Sequence, residues 1–217
     1  MIIPGRAFLE SIRILTKGLR KPHFKRRITK QSKLDLSVWL EFLNYHNGVT
    51  LYREQLFISP GIVNIFTDAS QNIGLGAMMG RQWFALQWPN EWYKLQNITL
   101  LEFIPIILSI ITWRSMLSNK VVIFHTDNFS LVSIINKQHS DEPLVRTVLR
   151  GLVLSLLKFN ILAKAEHISG SKNNKADALS RNLISQFRQL HPEAQIHPTP
   201  APALPDCIAS TGTWIPC

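Results

Sequence analysis

Cysteine is almost absent from this 217-residue chain, which contains only Cys207 and Cys217. Both lie near the C-terminus at a spacing that does not suit metal ligands, so the sequence argues against a cysteine-based zinc site. With so little cysteine we expect a reducing, intracellular location, either cytoplasmic or nuclear. Internal repeats are lacking, and residues 1–18 do not have the charged and then apolar order of a secretory signal.

Long uncharged apolar runs are lacking as well. The longest apolar run, from Ile98 to Trp113, is short for a membrane span and contains Glu102 and Pro105. This run predicts a helix buried in a protein core, and we expect no membrane partner.

Negative charge is scarce: 14 Asp and Glu stand against 24 Lys and Arg, which gives a formal net charge of +10. This excess favours a polyanionic partner, because Lys and Arg gain affinity by displacing counterions from phosphates. The excess of positive charge is greatest in residues 1–61, which contain eleven basic and four acidic residues. Within KGLRKPHFKRRITKQSK (17–33), Lys25, Arg26 and Arg27 are candidates for phosphate contacts. A solvated face would explain the same run, and the sequence leaves both readings open.

Composition divides the chain into three segments. Residues 1–61 are basic, residues 62–185 form a mixed α/β domain, and residues 186–217 form a proline-rich tail that we expect to be extended or disordered. The predicted order in the middle segment is three strands, a helix, a strand, two helices, a strand and a helix. These elements are predicted at 63–67, on either side of Gly80, and at 99–117, 121–126, 129–137, 143–158, 161–167 and from about 174.

Four acidic residues in the middle segment each have a purely structural explanation. Asp68 and Asp127 suit turns, Glu102 stands where a capping box begun by Thr99 would place it, and Asp177 suits the first turn of a helix. Together they indicate a site. Asp68 and Asp127 each follow a predicted strand, and parallel neighbouring strands would bring the two carboxylates together. Glu102 lies in an apolar helix that must face the sheet.

Clustered, buried carboxylates stay ionised only if cations neutralise them, because burial and like charge both raise their pKa values. Oxygen ligands without cysteine suit Mg²⁺ or Mn²⁺, and two such ions can clamp the attacking and leaving oxygens of a phosphodiester. A structural Ca²⁺ site is the competing reading, although the sequence has no calcium-loop spacing.

The motifs TDAS, LLEF, HTDN and EHISGSKNNKADALSR occur in that order within residues 62–185. Their order resembles the ribonuclease H domain attached to retroelement reverse transcriptases, and ADALSR after a His-Ile-x-Gly loop is similar to long-terminal-repeat and DIRS-type retrotransposons. In the front segment, PGRAF, KPHFKRRITK and WLEFLNYHNG resemble the connection that precedes this domain in DIRS-type elements.

The resemblance implies a ribonuclease H-like three-layer α/β fold, with a five-stranded mixed sheet flanked by helices. It also implies hydrolysis of the RNA strand of RNA–DNA hybrids, dependent on two Mg²⁺ (or Mn²⁺) ions. By the same resemblance, Asp68 would be shared by both ions, and Glu102 and Asp127 would hold one ion and orient the attacking water. Asp177 would help to hold the other ion, while His167 would assist proton transfer or product departure from a mobile loop.

The sequence contains no two adjacent aspartates, so the polymerase site of a reverse transcriptase is not in this chain. We therefore expect the polymerase portion to be a partner, and the sequence leaves open a polyprotein fragment or a decayed or exapted copy. One alternative function is a non-catalytic module that binds hybrids or RNA. A second is a transposase or integrase core, but the acid within ADALSR and the histidine before it favour the ribonuclease.

Overall fold

The computed structural model describes residues 3–21, 23–45, 61–90, 92 and 97–204. Residues 46–60 of the predicted front segment, and Cys207 and Cys217 in the tail, lie outside the described residues. A 3-10 helix, seven α-helices and five β-strands are formed by the described residues. In chain order these are the 3-10 helix Ile3–Phe8, α1 Glu10–Thr16, α2 Lys30–Tyr45, β1 Ile62–Ala69, β2 Gly74–Met79, β3 Gln82–Gln87, α3 Ile98–Leu117, β4 Val121–Thr126, α4 Phe129–Lys137, α5 Pro143–Lys158, β5 Leu162–His167, α6 Asn174–Ser180 and α7 Ile184–Leu190.

The five strands form one mixed sheet in the order β3-β2-β1-β4-β5. Strands β1, β2 and β3 pair antiparallel, and the β2–β3 turn uses Gly80 at φ +56°, a conformation that costs glycine little. Strand β4 pairs parallel with β1, and β5 pairs parallel with β4. The carboxyl ends of β1, β4 and β5 therefore lie at the same edge of the sheet.

Helices cover both faces of the sheet and make three layers. Helices α3, α4 and α5 pack together on one face, around a large apolar core. Helices α6 and α7 lie on the other face, over a smaller core that includes Trp83, Leu179 and Phe187. The predicted fold class, a three-layer α/β fold with a five-stranded mixed sheet flanked by helices, is confirmed.

Helix α3 is the central element of the larger core. It is long and apolar enough to cross a membrane by length and composition, with a mean hydropathy of 1.6, but 72% of that apolar window is buried inside the protein. Its first turn is capped by Asn97, whose side chain accepts a hydrogen bond from Leu100 N. The capping box expected between Thr99 and Glu102 is therefore wrong, because the helix begins earlier and Glu102 is left to face the sheet.

The front segment packs against α5 through a buried ion pair. Arg150 Nη2 donates to Asp35 Oδ2 at 2.6 Å, and Arg150 Nε donates to Ala7 O at 3.2 Å. The rings of Phe8 and Phe42 meet edge to face beside this pair. The described part of residues 1–61 is therefore attached to the α/β domain by specific contacts.

The tail is ordered well beyond the predicted boundary at residue 186. Helix α7 is followed by an extended stretch that runs beside β3, where Gln195 N donates to Arg81 O at 2.8 Å and Thr199 N donates to Trp83 O at 2.7 Å. The tail was expected to be extended or disordered. Residues 186–190 are instead helical, in α7, whereas the stretch after them is extended and is held by these hydrogen bonds and a third from Trp83 Nε1 to Gln195 O. Residues 205–217 lie outside the described residues.

Candidate active site

Three carboxylates from three different elements meet at the edge where β1 and β4 end. Asp68 belongs to β1, Glu102 belongs to α3, and Asp127 directly follows β4. One carboxylate oxygen of each lies within 4.8 Å of the other two. Asp68 and Glu102 are buried, whereas Asp127 is exposed. The cluster is thus closed on the protein side and reaches solvent at Asp127.

Glu102 is held in place from the sheet. Its Oε2 accepts a hydrogen bond of 3.0 Å from Thr126 Oγ1, on the last residue of β4. The same hydroxyl accepts a bond of 3.2 Å from Asn128 N, and the Asn128 side chain caps α4. One fully buried threonine therefore couples Glu102 to the turn that carries Asp127.

Asp68 is held from the opposite face, by α6. Ser180 Oγ donates to Asp68 Oδ2 at 2.5 Å. This contact depends on Gly76, which pairs with Asp68 across the β1–β2 ladder. A Cβ on Gly76 would lie 2.3 Å from the Cβ of Leu179, so only glycine lets α6 approach closely enough for Ser180 to reach the aspartate.

Burial and mutual repulsion shape the electrostatics of the cluster. Desolvation, opposed by the Ser180 hydrogen bond and reinforced by Asp127 and Asp177, raises the pKa of Asp68 to about 6. Desolvation, reinforced by Asp68 and Asp127, raises the pKa of Glu102 to about 8. The site therefore resists carrying its full negative charge at neutral pH unless a cation offsets it.

The donor set fits a hard divalent cation. All three ligand candidates are carboxylate oxygens, which suit Mg²⁺ or Mn²⁺ better than the softer metals that cysteine binds. A bound cation would also oppose the desolvation and the repulsion that raise the pKa values of Asp68 and Glu102. These three residues would hold it.

Asp177 lies near this cluster but outside it. Its carboxylate accepts a hydrogen bond of 2.7 Å from Arg181 Nε, one turn further along the chain. Its charge nevertheless reaches Asp68, whose pKa it raises. The structure thus brings three of the four predicted acids within 4.8 Å of one another and leaves the fourth paired with an arginine at the rim.

His167 ends β5, directly beside Thr126 in the register of the sheet. Its ring stacks on the exposed ring of Phe129, with 3.5 Å between centroids and 11° between planes. The loop after it passes close to the cluster, because a Cβ on Gly170 would lie 3.3 Å from Asp127 Oδ2. The histidine therefore ends the strand that leads into this loop, and is not itself on the loop as the resemblance implied.

The predicted phosphate-binding residues lie elsewhere. Lys25, Arg26 and Arg27 are exposed in the irregular stretch between α1 and α2. Lys25 and Arg26 border an open cavity of about 500 Å³ together with Phe24 and Arg20. They are not among the residues of the carboxylate cluster.

Sequence reasoning missed the two hydroxyl residues that position the acids. Thr126 immediately precedes Asp127 and Ser180 belongs to ADALSR, so both stood inside quoted motifs without an assigned role. Ser180 lies 112 positions from Asp68, and a contact across that distance leaves no local pattern. For Thr126 the sequence did contain a signal. Side chains alternate between the two faces of β4, which places Thr126 on the same face as buried Phe124.

No protein-family model and no curated protein matches the chain. Among solved structures, the chain is similar to LC11-RNase H1, isolated from compost by a metagenomic approach. That likeness has 17% identity and a TM-score of 0.47, and covers 57% of this chain and 96% of that one. The RNase H1 of the halophilic archaeon Halobacterium salinarum NRC-1 is similar at 13% identity and a TM-score of 0.42, over 58% of this chain and 98% of that one.

Proposed function

We propose that this chain is a divalent-metal-dependent endonuclease that hydrolyses the RNA strand of RNA–DNA hybrids. The observation that carries the proposal is the cluster of Asp68, Glu102 and Asp127 at one edge of the sheet. Without a cation, this cluster destabilises the folded protein at neutral pH, since the pKa of Asp68 is raised to about 6 and that of Glu102 to about 8. A site that holds a cation for phosphodiester chemistry accounts for that cost.

Each residue has a separate task in this proposal. Glu102 and Asp68 are fixed by Thr126 and Ser180, so their oxygens keep one geometry while substrate comes and goes. Exposed Asp127 faces the side from which a strand can enter. Bound Mg²⁺ or Mn²⁺ would supply charge neutralisation and activation of the attacking water.

His167 takes part in proton transfer in this proposal. The imidazole is the side chain whose ordinary pKa lies nearest neutrality, and the loop that follows it passes beside Asp127. We assign it proton transfer to the leaving oxygen, or assistance in product departure. Asp177, paired with Arg181 through Oδ1, contributes negative charge near Asp68 and would help to hold a second ion.

The choice of hybrid substrate and the retroelement origin rest on the sequence. TDAS, LLEF, HTDN and ADALSR in this order resemble the ribonuclease H domain of retrotransposon reverse transcriptases, and the net charge of +10 suits a polyanionic duplex. We propose the polymerase portion of such an enzyme as the natural partner, in the cytoplasm or nucleus.

The test is cleavage of an end-labelled RNA–DNA hybrid with Mg²⁺ or Mn²⁺, beside the variant Asp127→Asn. This variant should fold normally because Asp127 is exposed, and should lose at least about 10³-fold in rate through loss of one carboxylate ligand. Asp141→Asn, an exposed aspartate after α4, is the matched control and should cut at the wild-type rate.

Three other results would reject the proposal in distinct ways. Hybrid binding by the wild type without any cutting would identify a non-catalytic module with the same fold. Cutting of double-stranded DNA in preference to the hybrid would point to a transposase-like core. Cutting that survives Asp127→Asn would place the chemistry outside this cluster.

A further inference from the structure

The second face of the sheet is only partly covered by α6 and α7. Beside these helices lie two open cavities of about 590 and 140 Å³, and both are lined by Phe66 of β1 and Met78 of β2. The larger extends to the start of β4 at Lys120, and the smaller extends to the loop that precedes α6. Together they form a groove, which we call the open-face groove, beside α6 and α7, and its larger part reaches Met116 at the end of α3.

An aromatic platform contributes to this groove through Phe66, which lines both cavities. The rings of Phe66 and His125 stack with 4.5 Å between centroids and 18° between planes. His125 is fixed in turn by Asn64, whose Oδ1 lies 2.8 Å from His125 Nε2. Both side chains are only half-buried, and Phe66 can be reached from either cavity.

A buried acceptor lines the smaller cavity. Asn173 is only 1% exposed, and its Nδ2 donates to Thr67 O at 3.0 Å. This bond fixes the orientation of the amide, because only the NH₂ group can face a carbonyl. Its Oδ1 then has no hydrogen-bond partner among the described residues, although a buried oxygen of this kind normally has one.

Positive charge borders the groove along its length. Lys172 and Lys175 line the smaller cavity, and Arg81 and Lys120 line the larger one. Among the described residues, the single acidic residue lining either cavity is Glu193, whose carboxylate lies 2.8 Å from His191 Nδ1. The charge of the groove therefore complements a polyanion.

We propose that the open-face groove binds an unpaired strand of nucleic acid. Lysines at the border suit phosphates, and an aromatic platform suits base stacking, which every base can provide. The unpartnered oxygen of Asn173 requires a donor, which an unpaired base or a 2′-hydroxyl can supply. A duplex fits less well, because its bases are stacked on each other and their Watson–Crick donors are already used.

This site is separate from the carboxylate cluster yet adjacent to it. Asn173 is bonded to Thr67, the residue immediately before Asp68, and the loop containing Lys172 follows His167. A strand in the groove would therefore be held next to the proposed cleavage site, as a single-stranded extension of a bound hybrid would be.

The test measures binding of a fluorescein-labelled 12-nucleotide oligo(U) by anisotropy, in EDTA so that no cleavage intervenes. The double variant Lys172→Gln, Lys175→Gln should bind about tenfold more weakly. Its slope of log affinity against log salt should be shallower by about 1.4, since each phosphate contact on a single strand contributes about 0.7. Lys137→Gln, Lys158→Gln changes the net charge equally on helices of the other layer and should bind as the wild type does.

A second variant tests the platform. Phe66→Leu keeps an apolar side chain in the core but removes the ring, and should weaken binding several-fold without changing the salt slope. A 5-iodouridine-containing strand should crosslink to the peptide that contains Phe66 or to the one that contains Met78.

Two results would overturn the inference. Equal losses in the Lys172, Lys175 variant and in its control would show that only net charge matters. Crosslinks confined to residues 17–33 would place the strand on the basic segment instead. Because the assay contains no metal, neither result depends on whether the chain cleaves hybrids.

Discussion

At the scale of single residues, the protonation of Asp68 and Glu102 decides how the site behaves near neutral pH. Their ordinary pKa values are 3.8 and 4.5, and in the folded protein these rise to about 6 and about 8. Between those limits the folded chain binds more protons than the unfolded chain. The free energy of unfolding therefore falls as pH rises from about 4 to about 8.

We predict that the metal-free protein is more stable at pH 5 than at pH 8.5, by an amount on the order of a few kcal/mol. Chemical unfolding in EDTA across this range measures the slope. Adding Mg²⁺ or Mn²⁺ at pH 8.5 should restore much of the loss, because a cation favours the ionised carboxylates. Glu102→Gln should flatten the slope and abolish the metal response, since it removes the group with the higher pKa.

The matched control is Glu41→Gln, at an exposed glutamate on α2. It should leave both the slope and the metal response unchanged. Equal stability of the wild type at pH 5 and pH 8.5 would show that the buried carboxylates are not desolvated as described.

At the scale of elements, the approach of α6 to β2 decides whether Asp68 is held correctly. The helix contacts the sheet at Gly76, where a Cβ would lie 2.3 Å from Leu179 Cβ and 2.9 Å from the backbone of α6. Backbone cannot move aside as a flexible side chain can. A methyl group at this position must push the whole helix outward.

We predict that Gly76→Ala destabilises the fold by about 2 kcal/mol and lowers cleavage, because Ser180 loses its contact with Asp68. Unfolding by denaturant and hybrid cleavage measure the two effects. Gly61→Ala is the control, since no atom lies within 4 Å of a Cβ placed there, and should change stability by less than about 0.5 kcal/mol. Wild-type cleavage by Gly76→Ala would show that α6 does not position Asp68.

The second element-scale prediction concerns the attachment of the front segment to α5. Asp35 is 1% exposed at its side chain and pairs with Arg150 at 2.6 Å. Replacing Asp35 with Asn leaves a buried guanidinium without its counter-charge, and we expect a loss of about 3 kcal/mol in unfolding free energy. The exposed pair between Glu10 and Arg13 is the control, and Glu10→Gln should cost less than about 0.5 kcal/mol.

If Asp35→Asn proves as mild as the control, the front segment contributes little to stability. If the loss is large and the denaturation curve stays a single transition, residues 3–45 and the α/β domain unfold as one unit. The composition boundary at residue 61 would then separate two regions of charge within one folding unit.

The elements themselves were largely predictable, because hydrophobic period and length are local properties. The strands, the hairpin and the helices from β1 to α6 were predicted in the observed order, whereas α7 was not predicted as a separate helix. The errors lie where a distant contact decides the outcome. The Asn97 cap replaces the expected box at Thr99, and residues 193–199 are ordered by β3, more than a hundred positions earlier in the chain.

At the scale of the whole molecule, charge is arranged unevenly, and nucleic-acid binding should reflect it. Lys25, Arg26 and Arg27 are all exposed in an irregular stretch, so each is free to reach a phosphate. We predict that changing all three to Ala lowers the slope of log affinity against log salt for an RNA–DNA hybrid by about 2–3. Fluorescence anisotropy across a range of KCl concentrations measures it.

The control for this variant is Arg114→Ala, Lys137→Ala, Lys158→Ala, which removes the same charge from three exposed positions on α3, α4 and α5. It should leave the slope close to that of the wild type. An equal reduction in both variants would mean that residues 17–33 are a solvated face.

The candidate site was predictable only as far as its residue types and their order along the chain. Asp68, Glu102 and Asp127 come together because β1 and β4 are parallel neighbours, a pairing that the sequence suggested without proving. The ion pair between Asp177 and Arg181 could not be predicted as part of a site. Charged pairs four residues apart are as common on helix surfaces without a function as they are in active sites.

Both outer strands of the sheet are contacted over part of their free edges. On β5, the side-chain amide of Asn136 donates to Ala165 O and accepts from Ala165 N, as a neighbouring strand would. On β3, the tail takes the same place through Gln195 and Thr199. An uncovered edge is a template for strand addition between molecules and hence for aggregation. The tail and Asn136 therefore protect backbone groups of the outer strands from pairing with another molecule. We expect a chain that ends after α7 to expose the edge of β3 and to aggregate more readily.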